Sequence, residues 1–381
     1  MLYRPLGASG LCVSRIGLGT MGFGGRYQRV DGGERDACRL IHRALDLGIT
    51  LFDTAEVYGE GHGEEILGAA LRGRRDRAVI ATKFSAANSR PEAVKAACEG
   101  SLRRLGVDCI DLYQNHWPDP AVPIAETIGA MADLVWEGKV RAIGLSNCTG
   151  HDATAATAAL ANGPCLASIQ QDYSLHERFA ERRVLPWARA HGVALIAYSP
   201  LGQGRTSGPD PRMVELARIA ADVGVTAAQA MLAWLLHDEA VVPIPMTSRE
   251  TNLIANAAAV DVVLPSGVAD EIDALFRSTV RDLRPADIAV EASHHGKVMR
   301  TREEALDNVH GLVPSPAELA RDMASGDLLK PIKVCPPAEP GGRYRLVEGQ
   351  LRYWAWVIAH GDDRPIPAQL VSDGGHSRSA A

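Results

Sequence analysis

The sequence predicts an α/β chain: a (β/α)8 TIM barrel over residues 1–278, a small α+β domain over 279–371 and a disordered tail over 372–381. Three observations predict it. Short apolar, β-branched runs alternate with amphipathic stretches eight times, which implies right-handed βαβ units and a parallel sheet. The repeats together have the length of a closed barrel. Near Phe276 the alternation stops, and a different pattern begins. From the pattern alone, a doubly wound open sheet is the alternative.

The expected strands are 15–18, 50–53, 78–83, 110–115, 141–145, 168–170, 194–198 and 241–244. Between them, helical periodicity covers 34–47, 63–72, 91–105, 124–137, 151–161, 181–191 and 211–223, and a last barrel helix covers 269–276. Leu40, Ile41, Ala44 and Leu45 mark one helical face. Most helices end beside a glycine (Gly48, Gly73, Gly106, Gly138, Gly192 and Gly224), the usual stop signal. Beyond the barrel, 281–313 reads as irregular. A helix (316–324), a strand (332–334), a Pro/Gly turn, a strand (344–347), a helix (350–360) and a strand (368–371) follow. The Ser/Gly-rich tail has no pattern to order it.

Composition excludes several classes. A net charge of −6 makes no electrostatic case for nucleic acid or an acidic membrane surface. Residues 279–381 carry 13 Lys/Arg against 14 Asp/Glu, so no basic patch hides there. The seven cysteines are scattered, with no C-x-x-C pair, and read as small buried thiols in a reducing cytoplasm rather than zinc ligands. The opening Met-Leu-Tyr-Arg-Pro lacks a signal-peptide core, and no apolar run is long enough to span a membrane. Adjacent His294 and His295 read as a solvated loop, so no metal is expected.

Catalytic groups of such barrels sit at the C-terminal ends of strands. Asp53, Lys83 and His116 fall at or just past three consecutive strand ends, and Tyr58 follows on the adjoining loop. A phenol ionises near pH 10. A buried Lys beside it is expected to lower that value, with Asp holding the Lys charged. The phenol then exchanges a proton with a carbonyl or alcohol oxygen, and His donates a hydrogen bond to the same oxygen. That set suits carbonyl reduction by a hydride from a nicotinamide cofactor.

Several motifs carry a resemblance. They are Leu6-Gly-Ala-Ser-Gly-Leu-Cys-Val-Ser-Arg-Ile-Gly-Leu-Gly-Thr-Met21, Phe52-Asp-Thr-Ala-Glu-Val-Tyr-Gly59, Ala81-Thr-Lys83, Gln114-Asn-His116, Gly144-Leu-Ser-Asn147 and Tyr198-Ser-Pro-Leu-Gly202. In order and spacing they resemble the aldo-keto reductases from about Leu2 to Phe276. The resemblance implies an NADP(H)-dependent enzyme acting on a small carbonyl or alcohol, with Tyr58 as general acid/base, tuned by Lys83 and Asp53, and His116 orienting the carbonyl. It implies that Ser146, Asn147 and Gln170 hold the nicotinamide carboxamide, that Tyr198 stacks on the ring, and that Trp117 walls the substrate pocket. Gly19, Thr20, Met21, Ser199, Leu201, Thr247, Ser248, Arg249 and Asn256 complete the implied cofactor site, with Ser248 and Arg249 on a ribose 2′-phosphate. Members commonly carry Gly or Lys at Met246, Arg at Asn252 and an acid at Ala255. Gly17-Leu-Gly-Thr-Met-Gly22 also fits G-x-G-x-x-G, but Arg26-Tyr-Gln-Arg29 and further residues precede any helix, so it reads as a rim loop rather than a pyrophosphate loop.

Gly342-Arg-Tyr-Arg-Leu-Val-Glu-Gly-Gln-Leu-Arg-Tyr-Trp-Ala355, with its flanking segments, resembles the N-terminal domain of ParB and the related sulfiredoxin fold. That resemblance implies a nucleotide phosphate held at Gly349 and Arg352; otherwise the domain only covers the barrel mouth. No helix-turn-helix pattern follows, so DNA is not an expected partner. The rival to an enzyme is an NADP(H)-binding sensor with the second domain as its output.

Overall fold

The computed structural model describes residues 1–24, 33–161, 163–290, 298–337, 339 and 341–371. The 26–29 segment, His294, His295 and the tail lie outside them. The chain forms two compact units, Met1–Arg277 and Ser278–Ala381.

The first unit opens with an antiparallel hairpin, β1 (Tyr3–Pro5) and β2 (Cys12–Ser14). Eight parallel strands follow: β3 (Leu18–Gly19), β4 (Leu51–Asp53), β5 (Val79–Phe84), β6 (Ile110–Asn115), β7 (Val140–Ser146), β8 (Leu166–Asp172), β9 (Ala194–Tyr198) and β10 (Val241–Pro243). Each pairs with the next in chain order. The ends meet, because Gly17 N donates to Pro243 O at 2.9 Å and Gly19 N to Pro245 O at 3.3 Å. The sheet is therefore a closed barrel, and the open-sheet alternative falls away. The first barrel strand lies later than expected, since residues 12–14 are committed to the hairpin. Leu6, Leu11 and Val13 of the hairpin segment are buried against the barrel's interior apolar residues.

Predicted and observed helices agree closely at Pro91–Leu105, Ile124–Trp136 and Pro211–Asp222. Gly106 ends the first of these at φ 63°, ψ 40°, left-handed backbone that glycine adopts without steric cost. Two helices have no counterpart among the periodic stretches. Ala227–Leu236 is apolar nearly all round, so it carries no contrast between faces, and Glu250–Ala258 begins at Arg249 with no side-chain cap.

Side chains alternate in and out along a strand. On β5 the inward set is Val79, Ala81 and Lys83; on β6, Leu112 and Gln114; on β7, Ala142 and Ser146 with Gly144 between them. The lower inward positions are apolar, and the layer at the C-terminal strand ends is polar. That layer is where the candidate site lies.

The second unit is a five-stranded mixed sheet of β11 (Val280–Leu283), β12 (Ile288–Ala289), β13 (Ile332–Cys335), β14 (Tyr344–Glu348) and β15 (Ile366–Leu370). Its order is β11-β15-β13-β14-β12. Segment 281–313, expected to be irregular, supplies two of these strands. β11 is an edge strand with Arg281 and Asp282 exposed, so it lacks the apolar alternation that marks a strand in sequence. Helices Arg302–Leu306, Pro316–Asp322 and Gln350–His360 complete the unit. Among the described residues no single helix is long and apolar enough to cross a membrane, and no group of three His, Cys, Asp or Glu is placed to hold a metal.

Candidate active site

Asp53 ends β4 and Lys83 lies one residue before the end of β5, paired in register with Gln114 of β6. Tyr58 comes from the turns after β4, and His116 directly follows β6. Lys83 is fully buried and Asp53 nearly so. The ammonium donates to Asp53 Oδ1 at 2.6 Å, to the Thr54 carbonyl at 2.7 Å and to the Tyr58 hydroxyl at 3.4 Å. Its three N–H groups thus have three acceptors. Since the Tyr58 oxygen accepts from Lys83, its own proton is directed elsewhere. The His116 ring stands edge-on to Tyr58, with centroids 5.9 Å apart.

The charge balance differs from expectation at one point. Burial raises the Tyr58 pKa above its ordinary value, and this outweighs the lowering by Lys83. The phenol is therefore held protonated, as an acid, and Lys83 only limits the rise. Burial also opposes the charge on Lys83, but Asp53, Tyr58 and the hydrogen bonds to both together carry its pKa upward. The imidazole of His116 is pushed down to about 3 by burial and then by Lys83, so it is neutral and has one N–H to give.

The neighbouring strands add a second cluster. Gln170 Nε2 donates to Asp53 Oδ2 at 2.8 Å, and Gln114 Nε2 reaches the same oxygen at 3.4 Å. Asn147, left-handed at φ 51°, donates to the His116 carbonyl at 3.0 Å and to Ser146 Oγ at 3.1 Å. Its Oδ1 accepts from the Tyr198 hydroxyl at 2.7 Å. Ser146, Asn147 and Gln170 are brought together, and Tyr198 stands half-buried beside them. Thr20 ties the rim to β4 through its N and Oγ1, both on the Asp53 carbonyl. Gly24 packs so closely on the Tyr58 backbone that a Cβ there would lie 2.7 Å from it. The first glycine-rich loop thus serves the rim of a barrel. Trp117 is 44% exposed next to His116.

The aldo/keto reductase family model matches residues 15–277. A thermostable aldo-keto reductase solved with the inhibitor epalrestat is 36% identical, with a TM-score of 0.67 over 72% of this chain and 100% of its own. An aldo-keto reductase from Klebsiella pneumoniae in complex with NADPH is 35% identical, with a TM-score of 0.66 over 72% and 96%. A Klebsiella pneumoniae aldo/keto reductase in complex with NADP and acetate is 34% identical, with a TM-score of 0.64 over 71% and 94%. The chain belongs to the aldo/keto reductase family.

In this family member the remaining positions spread along the rim. Gly19 ends β3, Thr20 is buried and Met21 is 37% exposed beyond it. Ser199 has a left-handed φ of 49° directly after β9, and Leu201 packs half-buried. Thr247 Oγ1 accepts from Arg249 N at 3.1 Å, holding the turn that opens helix Glu250–Ala258. Ser248 is half-buried, Arg249 exposed and Asn256 buried on that helix. Glu250 in its first turn pairs with Arg43 at 3.1 Å. The sequence assigned no role to Gln114 or Thr54. Inward parity on β6, two residues past Leu112, is the signal that points to Gln114.

In the second unit, Gly349 (φ 95°) caps helix Gln350–His360. Arg352 folds back over it, with Nη2 3.7 Å from Glu348 Oε1. Lys333 also reaches Glu348, at 2.7 Å.

Proposed function

We propose that the barrel transfers a hydride between NADP(H) and a small carbonyl or alcohol, with Tyr58 as general acid/base. The observation that carries this reading is the buried Asp53–Lys83–Tyr58 chain, in which the phenol accepts from Lys83 and keeps its proton for a substrate oxygen. NADPH, when bound, supplies the hydride. Tyr58 then protonates the oxygen on which negative charge develops, and the Lys83 ammonium stabilises the phenolate left behind. Neutral His116 donates to the same oxygen and orients it. In the oxidative direction Tyr58 takes the proton back.

The donor set fits a nicotinamide carboxamide. Ser146 Oγ accepts from Asn147 and, among the described residues, donates to none. Gln170 commits Nε2 to Asp53, which leaves its carbonyl as an acceptor. One hydroxyl donor and one amide acceptor match the C=O and NH2 of the carboxamide. Tyr198, held by Asn147, supplies a flat face for the ring, with Gly19, Met21, Ser199 and Leu201 as further rim contacts. For a ribose 2′-phosphate, Ser248 and Arg249 stand at the start of helix Glu250–Ala258, where free N–H groups and a guanidinium favour an anion. Thr247 and Asn256 would support the adenosine end. Trp117 would wall the substrate side.

For the second unit we propose a ParB/sulfiredoxin-like domain that takes a nucleotide phosphate at Gly349 and Arg352. A phosphate there would displace Glu348 from Arg352, so calorimetry with nucleotides on wild type and Glu348→Gln tests it.

The test of the main reading is NADPH oxidation over a panel of aldehydes, ketones, sugars and nucleosides, repeated with Tyr58→Phe. General acid–base catalysis contributes about 10²–10⁴-fold, and no other group replaces the phenol. A Tyr58→Phe variant keeping more than about a tenth of wild-type turnover contradicts the assignment.

A further inference from the structure

Gln114 is fully buried in the inward layer, one strand from Lys83 and one from Gly144 in register. Space is reserved for it: a Cβ on Gly144 would stand 3.0 Å from Gln114 Cγ and 2.5 Å from Ser168 Oγ. Its amide works in both directions. Nε2 reaches Asp53 Oδ2 at 3.4 Å, and Oε1 accepts from Gln170 Nε2 at 3.4 Å. Gln170 Nε2 has two hydrogens, and they go to Asp53 Oδ2 and Gln114 Oε1. With both hydrogens taken inside the barrel, Gln170 offers outward only its carbonyl. Asp53, in turn, holds Lys83 through its other oxygen.

We propose that Gln114 is a positioning residue that joins Asp53 in holding the Gln170 amide with its acceptor outward, and that steadies Asp53 itself. A bound carboxamide and the Tyr58 acid are thereby set by one buried chain, Gln170–Gln114–Asp53–Lys83–Tyr58. This rests on the nicotinamide reading of the site. Gln114 itself reaches neither cofactor nor substrate. A group that merely filled the barrel would be replaced by leucine without consequence for how the carboxamide is read.

The test uses the full chain, with cofactor affinity measured by fluorescence for NADPH and for its 3-acetylpyridine analogue, which lacks the amide N–H groups. Wild type should prefer NADPH by about tenfold, the worth of one well-made hydrogen bond. Gln114→Leu leaves Asp53 as the amide's remaining partner among those described, so Gln170 is held less firmly and the preference should fall to about threefold. Gln114→Glu keeps that acceptor and sets a second carboxyl against Asp53. It should retain the preference and add a new pH-dependent step in turnover, since a carboxyl set against Asp53 loses its proton only at a raised pH, within the range over which turnover is followed. Should Gln114→Leu not fold, Gln114→Glu alone decides: loss of the preference, or an unchanged pH profile, overturns the proposal. A folded Gln114→Leu with wild-type preference overturns it too, while leaving the enzyme reading intact. If wild type binds neither cofactor, both readings fall together.

Discussion

Replacing Lys83 with Met removes the cation of a buried ion pair while roughly conserving its volume. Lys83 is 0% and Asp53 2% exposed, so water cannot take over the lost contact. Asp53 Oδ1 and the Thr54 carbonyl each lose a donor, at 2.6 and 2.7 Å, and among the described residues the Gln170 and Gln114 amides remain on the carboxylate. Leaving one charge of a buried pair uncompensated costs about 3–5 kcal/mol. The remaining amides place the expected loss near the lower end, about 3 kcal/mol, a large share of a typical domain's stability. Adding Asp53→Asn to Lys83→Met removes the stranded charge and should recover most of that loss. Urea unfolding of the cofactor-free proteins at neutral pH, followed by far-UV circular dichroism, measures both variants. A Lys83→Met transition within about 1 kcal/mol of wild type, or a double variant no more stable than the single, would refute the reasoning.

Three further outcomes follow. The His116 imidazole stays neutral down to about 3 in the folded protein against an ordinary value of 6.5, so the unfolded chain binds a proton that the native one does not between these values. Stability should therefore fall as pH drops through that window, by up to about 1.4 kcal/mol per unit from this group, and His116→Asn should flatten the slope measured by denaturant titration. Arg249→Ala should weaken NADPH binding about tenfold and leave NADH unchanged, as expected for one charged hydrogen bond to a 2′-phosphate; equal wild-type affinity for the two cofactors would end that reading. Deleting residues 278–381 should leave a folded barrel that still binds NADPH, because Met1–Arg277 is a compact unit by itself. A truncated chain that circular dichroism shows to be unfolded, or that binds no NADPH, would refute this.

The sequence by itself determined a parallel β/α architecture of barrel length and the strand-end positions of its rim groups, with an open sheet as the alternative. Eight apolar runs divided by helices admit few parallel architectures, and the C-terminal ends of those runs put Asp53, Lys83 and His116 on one rim. Pro91–Leu105 and Ile110–Asn115 were legible to the residue because each carries its own stop or alternation. Strand β11 was not, because an edge strand is made by its partner β15 and not by its own Arg281 and Asp282. Closure of the barrel was also a tertiary event, resting on backbone bonds between Gly17 and Pro243, more than 200 residues apart. At the site, residue types suggested that Lys83 would lower the Tyr58 pKa. Only the folded surroundings showed that burial wins, since desolvation depends on what packs around a group rather than on its neighbours in sequence. The bond that Gln170 donates to Gln114 belongs to the same class. It joins residues 56 apart whose amides could each point either way, and three-dimensional packing chose the direction.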